Sequence, residues 1–163
     1  KLIFVSISGN AHGMPWSNDV EAILQAWYSG SETGHAVADV IFGDVNPSGK
    51  LPYTIQPTLA DYPAHQYGEI AYPGVDKQVH YLEDIFVGYR YADLYGTRRP
   101  IKYASQGVQY TINPPKRQPI FPFGFGLSYT TFAYSNATLD GNQITVSVTN
   151  KADTTVEFSF FLC

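Results

Sequence analysis

Leu2-Ile3-Phe4-Val5-Ser6-Ile7-Ser8, running into Gly9-Asn10-Ala11-His12-Gly13-Met14-Pro15-Trp16, decides how this chain folds. Residues 2–8 form an apolar, β-branched and aromatic run, as expected for a strand of a parallel sheet covered on both faces. A loop with two glycines and a proline then breaks the run. Ala22-Ile23-Leu24-Gln25-Ala26-Trp27-Tyr28 follows; Ser29-Gly30-Ser31 interrupts it before a helix could develop, so it reads as a second strand. Residues 31–43 read as a helix. Ala36, Val37, Val40 and Ile41 make one apolar stripe, Ser31 is placed to cap the start, and Gly43 to stop it. Strand, loop, strand and helix in this order imply an α/β fold with a parallel sheet and helices.

Beyond residue 43 the texture changes. Asp44-Val45-Asn46-Pro47-Ser48-Gly49-Lys50-Leu51-Pro52 is turn chemistry throughout. Residues 56–80 and 96–122 are rich in proline and show no sustained periodicity. Between them sits the aromatic island Ile85-Phe86-Val87-Gly88-Tyr89-Arg90-Tyr91. Long irregular stretches are unfavourable unless they lie against a larger body. From Thr130 the pattern becomes all-β. Residues 132–139 read as a strand, Asp140-Gly141-Asn142 as a hairpin turn, and residues 143–149 as a second strand with Ile144, Val146 and Val148 on one face. Residues 156–162 would be a third. Three strands do not close a sandwich, so an incomplete domain is expected there.

Composition narrows the function classes. The 163 residues carry a formal charge of −4 with 15% charged residues, which argues against a nucleic-acid surface or an anionic membrane as partner. Hydrophobic residues at 44% are enough for a core, and aromatics reach 15%. Cys163 stands alone, so neither an internal disulfide nor a cysteine zinc site is available. No apolar run approaches membrane-spanning length. The N-terminal apolar run is too short for a signal peptide's core and reads as a strand, which leaves localisation open between secreted and cytoplasmic.

The chemical motifs are mostly negative. No phosphate-binding glycine loop or nucleophile elbow is present. His12, His35, His65 and His80 are scattered without metal-ligand spacing. Glu83-Asp84 is an adjacent acidic pair, but neighbours in an extended segment point to opposite faces and do not act together on one bond. Trp16, Trp27, Tyr89, Tyr91, Phe121, Phe123, Phe125 and Tyr129 could serve as a carbohydrate platform or as packing between domains. Asn136-Ala137-Thr138 is a glycosylation sequon, with Asn136 the acceptor if the protein is secreted.

Several strings together resemble the C-terminal part of glycoside hydrolase family 3, most of all its β-glucosidases. They are Met14-Pro15-Trp16, residues 22–28, residues 36–52, residues 85–91, and Phe121-Pro122-Phe123-Gly124-Phe125-Gly126-Leu127-Ser128-Tyr129-Thr130-Thr131-Phe132. The resemblance implies a (β/α)8 barrel, an α/β sandwich and a fibronectin type III-like domain in the whole protein. Residues 1–55 would then be the C-terminal part of the sandwich, a partial parallel sheet with helices. Residues 56–131 would be a long irregular connecting segment packed on the enzyme body, and residues 132–163 an incomplete all-β fibronectin type III-like domain.

The implied activity is a retaining, exo-acting hydrolysis of terminal non-reducing β-D-glucosyl residues, with no metal or organic cofactor. In the family the nucleophile is an Asp of the barrel and the acid/base is usually a Glu upstream of the strand matching residues 2–8. No catalytic residue is therefore expected in this chain, which should be inactive alone. Its partners would be the barrel and the rest of the sandwich. The loop after the first strand lies where open α/β sheets place ligands; the substrate-binding candidates are Asn10, His12, Trp16 and Glu32. A carbohydrate-binding module, a purely structural interdomain module and a related β-xylosidase are the alternatives.

Overall fold

A computed structural model describes residues 1–97, 99–105 and 108–152. In chain order its elements are β1 (Ile3–Ser6), β2 (Ala22–Gln25), α1 (Thr33–Phe42), α2 (Tyr89–Ala92), β3 (Ile101–Ser105), β4 (Val108–Ile112), β5 (Phe132–Asp140) and β6 (Gln143–Asn150). β1 and β2 are parallel, with Ile3 opposite Ala22 and Ser6 opposite Gln25. The pairs β3–β4 and β5–β6 are antiparallel. Parallel and antiparallel sheets and helices thus coexist. Among the described residues no helix is long and apolar enough to cross a membrane.

The chain divides into two compact units. The first comprises Lys1–Tyr28 and Leu51–Phe125. Backbone hydrogen bonds tie the two ends of its longer stretch together: Leu51 N–H donates to Phe125 O (2.9 Å), Gly124 N–H to Leu51 O (2.8 Å) and Ile55 N–H to Phe121 O (2.8 Å). A polar clamp reinforces them. The buried Asp61 carboxylate accepts from Thr58 N–H (3.0 Å) and Thr58 Oγ1 (2.7 Å), capping the 3-10 turn Leu59–Asp61. Arg117 grips the same carboxylate, Nε to Oδ1 at 3.2 Å and Nη2 to Oδ2 at 2.9 Å. Met14, Ile55, Ala71, Tyr91, Ala92 and Ile112 are the buried apolar side chains of this unit.

The second unit comprises Ser29–Lys50 and the chain from Gly126 onward. α1 ends where Gly43 takes φ +86°, a left-handed conformation that costs a Cβ-bearing residue energy. The helix starts at Thr33, two residues later than the stripe implied. Ser31 lies in a preceding 3-10 turn (Gly30–Glu32) and caps nothing; Thr33 Oγ1 instead donates to Gly30 O (2.7 Å). Asn46 Oδ1 accepts from Ser128 Oγ (2.9 Å) and Tyr129 N–H (2.8 Å), and Tyr129 Oη donates to Val40 O (2.6 Å). β5 and β6 turn through Gly141 and Asn142, with Gly141 at φ +56°. Their ladder breaks register between Ser135 and Thr138, and Asn136 sits in that break, exposed, at φ +52°.

Both N-terminal strands, the helix and the β5–β6 hairpin follow the sequence reading. The β3–β4 hairpin does not: residues 96–122 read as irregular, yet Ile101 pairs with Ile112 and Ser105 with Val108. Pro100, Pro114 and Pro115 lie outside the two strands, so the prolines that hid the hairpin do not interrupt its ladder. The third strand expected at 156–162 lies outside the described residues.

Candidate functional site

Parallel pairing brings the C-terminal ends of β1 and β2 to one edge of the first unit, and the two following loops leave there together. The ladder extends one bond past β2, with Ala26 N–H donating to Ser6 O (2.8 Å). The Gln25 side chain then crosses over, its Nε2 donating to Ser8 O (2.9 Å). Ser8 closes a tight turn on Asn10: its Oγ donates to Asn10 O (3.0 Å) and accepts from Asn10 N–H (3.3 Å). His12 Nδ1 lies 3.5 Å from the same carbonyl. Met14 is fully buried and anchors the loop, whose next turn is closed by Ser17 N–H to Met14 O (3.0 Å).

Asn10 and His12 therefore share one turn at the strand ends. The Trp16 ring, half-buried, packs on Phe4 of β1 at 4.2 Å between centroids. Glu32 belongs to the second unit, on its 3-10 turn. Its Oε2 lies 2.7 Å from His35 Nδ1, and both side chains are largely exposed. Such a pair contributes little to stability.

Gln25, which the sequence reading did not select, belongs with the turn through its bond to Ser8 O. Gln25 Oε1 and Tyr53 Oη are buried without a hydrogen-bond partner among the described residues. Burial, and secondarily the Tyr62 phenol, raise the Tyr53 pKa above its usual value of 10.0. Tyr53 contacts Trp27 edge-on at 5.2 Å, and Trp27 itself holds φ +57°. A bulky residue in that region is strained and persists only where its surroundings enforce it. The signal for Gln25 was in the sequence: one polar residue closing the run Ala22-Ile23-Leu24.

The side chains shown together here, Asn10, His12 and Gln25, offer amide and imidazole groups, which can orient a neutral ligand through hydrogen bonds. Glu83 is buried, with Oε2 unpartnered among the described residues, while Asp84 is exposed at φ +51°. The two adjacent acids thus occupy different environments. Among the described residues no group of three His, Cys, Asp or Glu side chains is placed to hold a metal ion.

Comparison with known proteins identifies the scaffold. The model of the glycosyl hydrolase family 3 C-terminal domain matches residues 1–89. Beta-glucosidase BoGH3A of Bacteroides ovatus is 44% identical over 143 residues, 88% of this chain and 16% of that protein. A beta-glucosidase of Rhizobium radiobacter is 41% identical over 159 residues, 93% of this chain and 17% of that protein. Among solved structures, beta-glucosidase 3B from Thermotoga neapolitana in complex with glucose superposes with a TM-score of 0.71 at 34% identity, over 92% of this chain and 19% of that one. The chain thus spans less than a fifth of the length of these relatives. With a family match covering more than half its residues, this chain belongs to glycosyl hydrolase family 3.

Proposed function

We propose that the chain is the C-terminal portion of a retaining, exo-acting β-glucosidase whose catalytic carboxylates lie elsewhere in the same polypeptide. The observation that carries this is its 44% identity, over 88% of its length, to a protein named as a beta-glucosidase. The exposed surface agrees with it. Parallel strands are normally covered on both faces, yet Leu2, Ile3, Phe4 and Ile7 of the β1 segment are exposed. In this reading residues 1–55 complete an α/β sandwich, residues 56–131 pack along the enzyme body, and residues 132–163 open a fibronectin type III-like domain. The barrel and the rest of the sandwich cover the exposed strands. Asn10 and His12 face the substrate side of the sandwich, and on a secretory route Asn136 carries the glycan.

The test is an aryl β-D-glucoside assay on two proteins. The first is the chain alone, expected to release no phenol. The second is a chimaera in which the chain replaces the matching segment of the Bacteroides ovatus relative, expected to hydrolyse the substrate. Turnover by the chain alone, or a folded chimaera without activity, overturns the reading.

A further inference from the structure

The formal charge of −4 hides a division along the chain. From Leu94 to Leu139 stand Arg98, Arg99, Lys102, Lys116 and Arg117, half of the 10 basic side chains, and none of the 14 Asp and Glu. That stretch carries a formal +5 and the rest of the chain −9. Where like charges gather, the surface has a field of its own, whatever the sum over the molecule.

Folding collects these side chains in the first unit. β3 and β4 pair antiparallel, with Ile101 opposite Ile112 and Lys102 opposite Thr111. The segment entering β3, with Arg99, and the segment leaving β4, with Lys116 and Arg117, therefore share one end of the hairpin. Arg99, Lys102, Lys116 and Arg117 are all exposed. Arg117 is committed to Asp61, Nη2 to Oδ2 at 2.9 Å. The other three make no ion pair among the described residues. Every Asp and Glu of the first unit is described, so none of its carboxylates pairs with them. Gln109 and Thr111 of β4 add an exposed amide and an exposed hydroxyl to the same hairpin.

The surroundings select the class of partner. Among the described side chains between Gly96 and Gly126 no large apolar one is exposed, whereas Ile70, Tyr72, Tyr81 and Ile85 are. The latter surfaces suit further polypeptide. A hairpin end of lysine and arginine does not, since protein interfaces are built around apolar anchors and a charge buried without a partner is costly. An anionic bilayer gains about 1 kcal/mol per basic residue at its surface, which three residues with no apolar side chain to insert turn into little hold. Duplex DNA carries a charge every ~1.7 Å along its axis, and most of those phosphates would meet the acidic remainder of the chain. A polymer with one carboxylate per sugar ring and hydroxyls between matches the hairpin better. Its carboxylates pair with guanidinium and ammonium groups, and its hydroxyls exchange hydrogen bonds with Gln109 and Thr111. We propose that this end of the β3–β4 hairpin is a docking surface for an anionic polysaccharide, a polyuronate chain held by Arg99, Lys102 and Lys116. The assignment stands apart from the hydrolase reading, since it concerns a different surface and a binding event without turnover.

The experiment runs the 163-residue chain through native gels containing polygalacturonate, or dextran as the neutral polymer. Polygalacturonate should retard the chain and dextran should not. Retardation should fade as salt rises, because exposed charges are screened over about 10 Å at 0.1 M ionic strength. The triple variant Arg99→Gln, Lys102→Gln and Lys116→Gln should bind about tenfold more weakly or worse. Its melting temperature should stay unchanged, since exposed side chains without partners are exchanged. Lys1→Gln, Lys77→Gln and Lys151→Gln together remove the same charge elsewhere and should leave binding intact. The chimaera with the Bacteroides ovatus relative should be retarded as the chain is. Four outcomes overturn the assignment: no retardation by polygalacturonate at low salt, equal weakening in the two triple variants, a chimaera that ignores the polymer, or tighter binding of phosphatidylserine vesicles or duplex DNA than of polygalacturonate.

Discussion

The two compact units are stabilised by different physics. Among the described residues, every buried apolar side chain, from Met14 to Ile112, lies in the first unit. The second has none. Its helix leaves Phe42 81% exposed, and the β5–β6 hairpin leaves Leu139 72% exposed. What joins its parts is polar: Asn46 to Ser128 and Tyr129, Tyr129 to Val40, and Thr130 Oγ1 to Asn150 Oδ1 (2.7 Å). Each such bond contributes about 1 kcal/mol net, whereas burying one large apolar side chain contributes roughly 1.5–3 kcal/mol. The first unit therefore carries its own driving force. In the second, polar contacts fix the geometry while its apolar faces stay uncovered, which is what the hydrolase reading expects of a segment that packs on more polypeptide.

The strongest way to break this comparison is at Tyr91. Tyr91→Ala removes a fully buried ring and empties the anchor of α2; large-to-small core changes of this kind cost about 3–5 kcal/mol. Urea unfolding should show a loss of that size, and hydrogen exchange should place it in the first unit. Equal deprotection of the β5–β6 hairpin would mean that the units unfold as one and that the contrast is wrong.

A smaller change sharpens the other side. Asn46→Ala deletes the acceptor shared by Ser128 Oγ and Tyr129 N–H. The expected cost is about 1–2 kcal/mol, seen as faster amide exchange around residues 44–48 and 126–131 with the first unit unaffected. A loss as large as that of Tyr91→Ala would show that the polar clasp does more than fix geometry.

The same contrast explains which parts of the molecule could be read from the sequence. Residues 3–6, 22–25 and 33–42 carry their structure in local pattern: apolar runs for the strands, an apolar stripe and Gly43 for the helix. Asp140 to Gln143 announced its turn through Gly141. The β3–β4 hairpin was hidden because its ten paired residues sit among prolines that break up any longer window. The stitching of residues 51–55 to 121–125 was not legible either, since these contacts join positions some seventy residues apart and leave no local periodicity. The candidate site was half legible. Asn10 and His12 follow from the position of a loop after a parallel strand, whereas the packing of Tyr53 on Trp27 is a contact that only the folded chain reveals. That Trp16 packs on Phe4 of β1 is likewise a contact visible only in the folded chain.

The smallest expected effect tests the core of the first unit through its phenols. Burial is the leading cause that raises the pKa values of Tyr53, Tyr62 and Tyr91 above 10.0. For Tyr62 and Tyr91 the nearby Asp61 carboxylate adds to it, while hydrogen bonds from Gln56 N–H and the Gln66 side chain act in the opposite direction. A phenol with a raised folded pKa keeps its proton after the unfolded chain has begun to lose it. Its contribution to stability is thus complete below pH 10 and declines as the pH climbs through the folded value. Urea midpoints of the first unit should be flat from pH 8 to about 9.5 and fall above pH 10. In Tyr62→Phe, which cannot ionise at that position, the fall should be shallower, even though the variant starts lower because Gln56 N–H loses its acceptor (3.2 Å). A midpoint that held or rose through pH 10 would mean that these phenols are no more buried in the folded chain than in the unfolded one, and the contrast between a buried unit and a clasped one would lose its basis.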